Sequence, residues 1–120
     1  MSYRYGFLVY GSYIDDKTTE ALKNYVDEDG NNYPDEAEEV AEQWFTCEYS
    51  AGGDEILGWI GKRIDAVDTF NAVPLLELWD SALRVSSDEK RKVHGQIDAL
   101  PDSIKNALPP TGVYICWADS

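Results

Sequence analysis

Carboxylates are the one reactive side-chain type that this chain supplies in quantity. Between Ile14 and Glu55 stand fourteen: Asp15, Asp16, Glu20, Asp27, Glu28, Asp29, Asp35, Glu36, Glu38, Glu39, Glu42, Glu48, Asp54 and Glu55. Only Lys17 and Lys23 oppose them there, so this third of the chain carries −12 of the total −13, and the remainder is nearly balanced. Acids at such density can chelate a cation, move protons, or present a field to a basic surface. For calcium, setting Gly30 at the glycine of an EF-hand loop puts Asp27, Asp29 and Glu36 at the third, fifth and twelfth ligand positions. Tyr25 then falls at the first position, which needs a carboxylate. Asn32 takes an aliphatic position and Pro34 stiffens the middle, so the stretch reads better as a solvated turn. For proton transfer, Glu38 and Glu42 stand one helical turn apart, but a tuned carboxylate needs burial, and these belong to a wet face.

The remaining reactive residues are few. His94 is the lone histidine, beside Lys90, Arg91 and Lys92 on the polar side of a helical stretch. A histidine triad would have to use it, and neither Cys47 nor Cys116 has a partner nearby in sequence. The glycines match neither dinucleotide-binding nor P-loop spacing. No catalytic residue, metal site or cofactor is assigned. Tyr3, Tyr5, Tyr10 and Tyr13 crowd one segment and could stack a base or sugar, but a strongly acidic chain lacks the basic track of nucleic-acid binders. Cross-strand packing explains them better.

Composition narrows the class further. Four Trp, eight Tyr and three Phe in 120 residues argue for a folded chain despite its charge, in the size range of a single domain. No apolar run reaches the roughly 18–20 residues of a membrane span. The alternating apolar start reads as a strand rather than a signal peptide. Two cysteines are too few for a disulfide scaffold, so a reducing cytoplasm is expected. One bridge is allowed only if the strands carrying them are neighbours.

Periodicity supplies the elements that must position these residues. Alternation over 3–14 predicts an interior strand, with Gly11 and Ser12 marking a bulge or loosening near its end. Asp15 and Asp16 cap a helix over about 16–27, with Thr18, Ala21, Leu22, Tyr25 and Val26 inward. Pro34 opens a second helix to about Trp44, with Ala37, Val40, Ala41 and Trp44 as its apolar stripe. Residues 45–50 alternate as a half-wet strand, followed by a hairpin loop at 51–54. Residues 56–65 fit a helix stripe through Ile56, Ile60 and Ile64. Gly58 and Gly61 would each cost such a helix about 1 kcal/mol, so a strand is preferred. A connector over 65–74 and a helix from Pro74 to about Leu83 come next. Ser86 and Glu89 form a capping box for a helix to about 99. A short turn at 102–108 and a strand at 112–118 close the chain. The order β-α(α)-β-β-α(α)-β predicts one α+β domain over 1–120, a ferredoxin-like four-stranded antiparallel sheet with helices on one face.

The functional expectation is a small acidic, non-enzymatic binding protein: an inhibitor or neutraliser of a basic protein partner, which a nucleic-acid-binding protein would suit. Its acidic helical face, residues 14–55, would imitate nucleic acid, at about one charge per 1.7 Å of duplex, in the style of a phage or mobile-element accessory. Asp27, Asp29, Asp35, Glu36, Glu38, Glu39 and Glu42 would steer the partner, with Tyr33 and Trp44 as anchors. Direct nucleic-acid and membrane contact are not expected, and a homodimer stays open. The alternative is a small-ligand or metal-binding regulatory domain that uses the tyrosine-rich sheet or the acidic 27–36 loop.

Overall fold

The computed structural model describes residues 4–47, 56–68 and 85–119. In chain order these form β1 (Arg4–Tyr13), α1 (Asp16–Lys23), a 3-10 turn (Pro34–Glu36), α2 (Ala37–Ala41), β2 (Thr46–Cys47), β3 (Gly58–Asp68), α3 (Ser87–Asp98), α4 (Asp102–Lys105) and β4 (Gly112–Asp119). The strands make one four-stranded sheet in the order β2-β3-β1-β4, with every neighbouring pair antiparallel. The class is α+β. The expected hairpin loop at 51–54, the end of the 45–50 strand and the helix from Pro74 lie outside the described residues.

Alternation sorts β1 between the two faces. Tyr10, Ser12 and Ile14 turn toward the helices, where Ile14 and Ile60 join Leu22, Val40, Phe45, Val93, Ile97 and Ile104 in the main core. Burying each large aliphatic there contributes about 1.5–3 kcal/mol. Phe7 and Val9 occupy the other face, fully buried, with Trp59 and Cys116 against them. Residues 58–68 give a strand despite the helix-like isoleucine spacing, because β3 pairs with β1 along nearly its whole length. It also runs through 65–68, where a connector was expected.

The tightest point of the sheet is a row of glycines. Gly11 lies opposite Gly61 on one side and Gly112 on the other. Gly11 and Gly61 hold φ of +153° and +130°, which disfavours side chains. A Cβ on Gly11 would stand 1.9 Å from the Ile60 carbonyl oxygen, and one on Gly61 2.1 Å from that of Tyr10. Aromatic rings cover the strip that the missing side chains leave. Tyr114 lies beside Gly112 and meets Tyr13 edge-on, centroids 4.9 Å apart. Trp59, paired with Tyr13 in register, nevertheless has its ring 5.8 Å from that of Phe7. Its indole therefore runs back along the sheet past the glycines, the packing known as aromatic rescue. The bulge expected at Gly11-Ser12 falls elsewhere: pairing jumps from Leu8–Asp65 to Val9–Arg63 and leaves Ile64 without a partner.

Two helical expectations are corrected and a third is met. The first helix stops at Lys23, not at about 27. Asp27 takes over the next residues, its carboxylate accepting from the Asp29 and Asn31 amides at 3.0 and 2.8 Å. Such local bonds compete with helix propagation. Val26, expected inward, is then 53% exposed and bridges to Asn32. The second helix is not continuous over 34–44 but a 3-10 turn followed by five α-helical residues. Neither piece has a side-chain cap, and Asp35, Glu38, Glu39 and Glu42 make like-charge pairs three or four residues apart, which are unfavourable. The third helix forms as expected. Ser86 Oγ accepts from the Glu89 amide at 3.2 Å, and the Glu89 carboxylate accepts from the Ser86 amide at 3.3 Å. Glu89 also pairs with Lys62 and ties α3 to β3.

Cys47 and Cys116 lie on β2 and β4, the two edges of the sheet. Three strand spacings, about 14 Å, separate those strands, beyond the reach of a disulfide.

Two stability predictions follow from this geometry. Gly11→Ala should destabilise by on the order of 2–4 kcal/mol, whereas Gly95→Ala, with open space at an α3 position, should stabilise by about 0.5–1 kcal/mol. Urea unfolding of the two variants checks both signs. Burial of the α1 cap Asp15 acts to raise its pKa, but bonds from the Thr18 hydroxyl and amide outweigh this and hold it below 3.8. Its contribution is therefore present above the unfolded value and lost as pH falls through the folded one. Asp15→Asn, which keeps a capping acceptor, should lose less stability than the parent between neutral pH and about pH 3. Equal losses in acid titrations of the two proteins would remove Asp15 from the acid response.

Candidate functional site

The acidic segment is built to stay in water. Asp29, Asp35, Glu36, Glu38, Glu39 and Glu42 are exposed, as are Asp16, Glu20 and Glu28. Helices α1 and α2 touch each other, so acids from both, and from the loop between them, share one end of the molecule. Among the described residues the ion pairs are Lys62–Glu89, Arg91–Asp88 and Lys105–Asp102. None of them involves an acid of this segment. No ion pair among the described residues therefore neutralises its field, which solution ions screen beyond about 8 Å at physiological salt. Glu48, Asp54 and Glu55 lie outside the described residues.

The expected site residues divide into two kinds. Asp35, Glu36, Glu38, Glu39 and Glu42 hold nothing in place and are free to meet a partner. Asp27 is half-buried and structural: it closes the 27–31 turn, in which Gly30 takes a φ of +83° and donates its amide to the Asp27 carbonyl at 3.0 Å. Tyr33 is 45% exposed. Trp44 is half-buried, with its ring edge-on to Tyr25 at 5.3 Å.

Trp44 also lines an open groove of ≈ 740 Å³. Asp27, Glu28 and Asp29 form one wall, and Pro101 and Ser103 stand opposite. Val26 lines it too and is exposed among these carboxylates, a contact residue that periodicity had assigned to the core. The signal that would have found it is the Asp27–Asn31 turn chemistry, which ends the helix before Val26 can turn inward.

The other candidate chemistry is modest. His94 is exposed, and its Nε2 lies 3.0 Å from the Tyr10 hydroxyl, with the Lys90 ammonium 5.7 Å from that ring. This is a cross-element contact with no nucleophile attached. Among the described residues no three His, Cys, Asp or Glu gather to hold a metal ion. The tyrosines of β1 do not make one open face: Tyr10 packs under α3, while Tyr13 pairs with Tyr114 on the opposite side. Burial, and then Tyr13 beside it, raise the Tyr114 hydroxyl above its ordinary pKa of 10.0. On that side a groove of ≈ 420 Å³ runs along Leu57, Trp59, Tyr13, Tyr114 and Cys116, and the buried Trp59 Nε1–H has no acceptor among the described residues.

Comparison with protein-family models, with curated proteins and with solved structures finds no match to this chain. No described helix is long and apolar enough to cross a membrane.

Because Glu38, Glu39 and Glu42 make no stabilising contact, changing all three to Gln should not lower the unfolding free energy by more than about 0.5 kcal/mol. Asp27→Ala should cost about 1 kcal/mol, since it strips acceptors from two turn amides. Thermal melts of both variants at low and high salt check this. A large loss from the triple variant would make those glutamates structural.

Proposed function

We propose that this chain is a small acidic binding protein that neutralises a basic protein partner through the face formed by the 27–31 loop, the 3-10 turn and α2. One observation carries the reading: a dense set of exposed acids that no ion pair among the described residues neutralises, on elements too short and too repulsive to be favoured for their own stability. Such an arrangement is unfavourable to folding through self-repulsion, and it attracts surfaces of positive charge. Val26, Tyr33 and Trp44 among the acids supply the apolar contact that electrostatic steering by itself lacks. A groove that otherwise takes nucleic acid is a basic partner surface of the sign required, so we read the chain as an inhibitor that competes with nucleic acid. The scaffold agrees with this role. All-antiparallel strands in the order β2-β3-β1-β4, with α1 before β2 and α3 before β4, suit a ferredoxin-like arrangement that presents its helices and their loops on one side.

The test is capture of host proteins on the immobilised chain at low and high salt, beside a variant carrying Glu38→Lys, Glu39→Lys and Glu42→Lys. A nucleic-acid-binding protein should be held at low salt and shed at high salt. It should bind the variant at least about tenfold more weakly, and duplex nucleic acid should displace it. Retention that the triple reversal leaves unchanged would sink the acidic-face reading.

A further inference from the structure

A second surface lies at the opposite edge of the sheet from β2. Strand β4 is an edge: among the described residues it is hydrogen-bonded only to β1. Its outer row of amides and carbonyls is a template for another strand. Natural edges are usually guarded by a charge, a proline, a bulge or brevity. This one spans eight residues, and Gly112 to Ala118 contain no charge and no proline. Its pairing with β1 runs from Arg4–Asp119 to Gly11–Gly112 without a register shift. Two of its side chains on the helix-bearing face, Val113 and Ile115, are 43% and 51% exposed. They are two of the four large apolar side chains exposed among the described residues, and they stand two residues apart on one strand.

We infer that β4 pairs antiparallel with β4 of a second copy, joining two four-stranded sheets into one of eight strands. Charge argues for that occupant. A chain of net −13 resists meeting itself, so a self-contact must sit where the charge is absent, and β4 is neutral over Gly112–Ala118. The acids of the 3-10 turn and α2 precede β2, the opposite edge, so this union keeps those two acidic ends apart. Geometry argues for it as well. An antiparallel strand pair about a two-fold axis is self-complementary, each residue meeting its counterpart reciprocally. Centred on Tyr114, the pairing sets Val113 against Ile115 of the second copy and Ile115 against its Val113. The four exposed side chains then close into one apolar patch. This inference does not rest on the acidic-face reading.

Sedimentation velocity over about 1–200 μM, at low salt and at roughly 0.5 M salt, tests it. A monomer–dimer equilibrium is expected, and it should tighten as salt rises because salt screens the repulsion between the copies. Partner binding by the acidic face should respond to salt in the opposite sense, so the two readings fail separately. Ile115→Lys and Val113→Lys should each weaken the dimer by about tenfold or more. Val26→Lys, at an equally exposed apolar site, should leave it intact. Circular dichroism confirms that each variant is folded. A monomer throughout the range, or a dimer indifferent to both β4 variants, overturns the inference.

Discussion

The close approach of β1 and β3 at Gly11 and Gly61 is the constraint on which the rest of the sheet depends. Two paired residues with positive φ bring the backbones so near that no side chain fits at either position. β1 is the central strand, bonded on both sides, so this approach sets the registers of β3 and of β4 together. The third glycine of the row, Gly112, extends the bare strip across β4. Rings then close it from one face: Trp59 folds back toward Phe7, and Tyr114 leans against Tyr13. The helices are therefore free to build the larger core on the other face. Several of the chain's aromatics, numerous for its size, are consumed in covering glycine.

The acidic end is held by a different kind of bond. Leu22 anchors α1, and Ala37, Val40 and Ala41 anchor α2 in the core. Between them the chain is shaped by Asp27 and Gly30 rather than by burial. That division matters, because carboxylates at this density repel one another and would unwind a segment that relied on helix propensity. Side-chain bonds to the turn amides, and a few small apolar residues inserted below, hold the loop in shape. Ser12 adds a tie on the core side, donating its hydroxyl to the Pro109 carbonyl at 2.8 Å, while the Thr18 hydroxyl, whose shorter bond goes to Asp15 at 2.7 Å, lies 3.1 Å from the Ala107 carbonyl. The proline pair after α4 has no amides to offer, and the Pro109 carbonyl is what ties it to Ser12 of β1.

What could be read from the sequence follows from which forces are local. The Ser86–Glu89 capping box and the Asp15 cap are contained in three or four residues, and both are present. The strand over 56–65 was legible because two glycines penalise a helix by a known amount. The bulge at Ile64 was not, because it arises from accommodating β1 and β3 to each other, and Gly11, its apparent marker, serves the close approach instead. The short α2 was misjudged because proline and an apolar stripe signal a helix while cumulative repulsion among Asp35, Glu38, Glu39 and Glu42 shortens it. Val26 was lost to the same habit: periodicity ran on past Asn24, where turn chemistry had already ended the helix. The acids were legible as exposed, yet only coordinates could separate Asp27, which builds the loop, from its neighbours, which merely occupy it.

The two edges of the sheet complete the logic of the charge distribution. An eight-residue edge with no charge and no proline over Gly112–Ala118 invites open-ended growth, one sheet adding to the next. Growth needs two usable edges, and the described part of the other edge, β2, is two residues long and follows the acidic helix directly. A second copy approaching there would meet a short template and a field of its own sign. Isologous pairing at β4 uses the same edge of both copies at once and leaves outward only the acidic ones. Charge concentrated at one end of the molecule thus acts on both surfaces. On the reading proposed above it draws basic partners to the helices, and in the inferred dimer it leaves outward only edges that follow acidic helices.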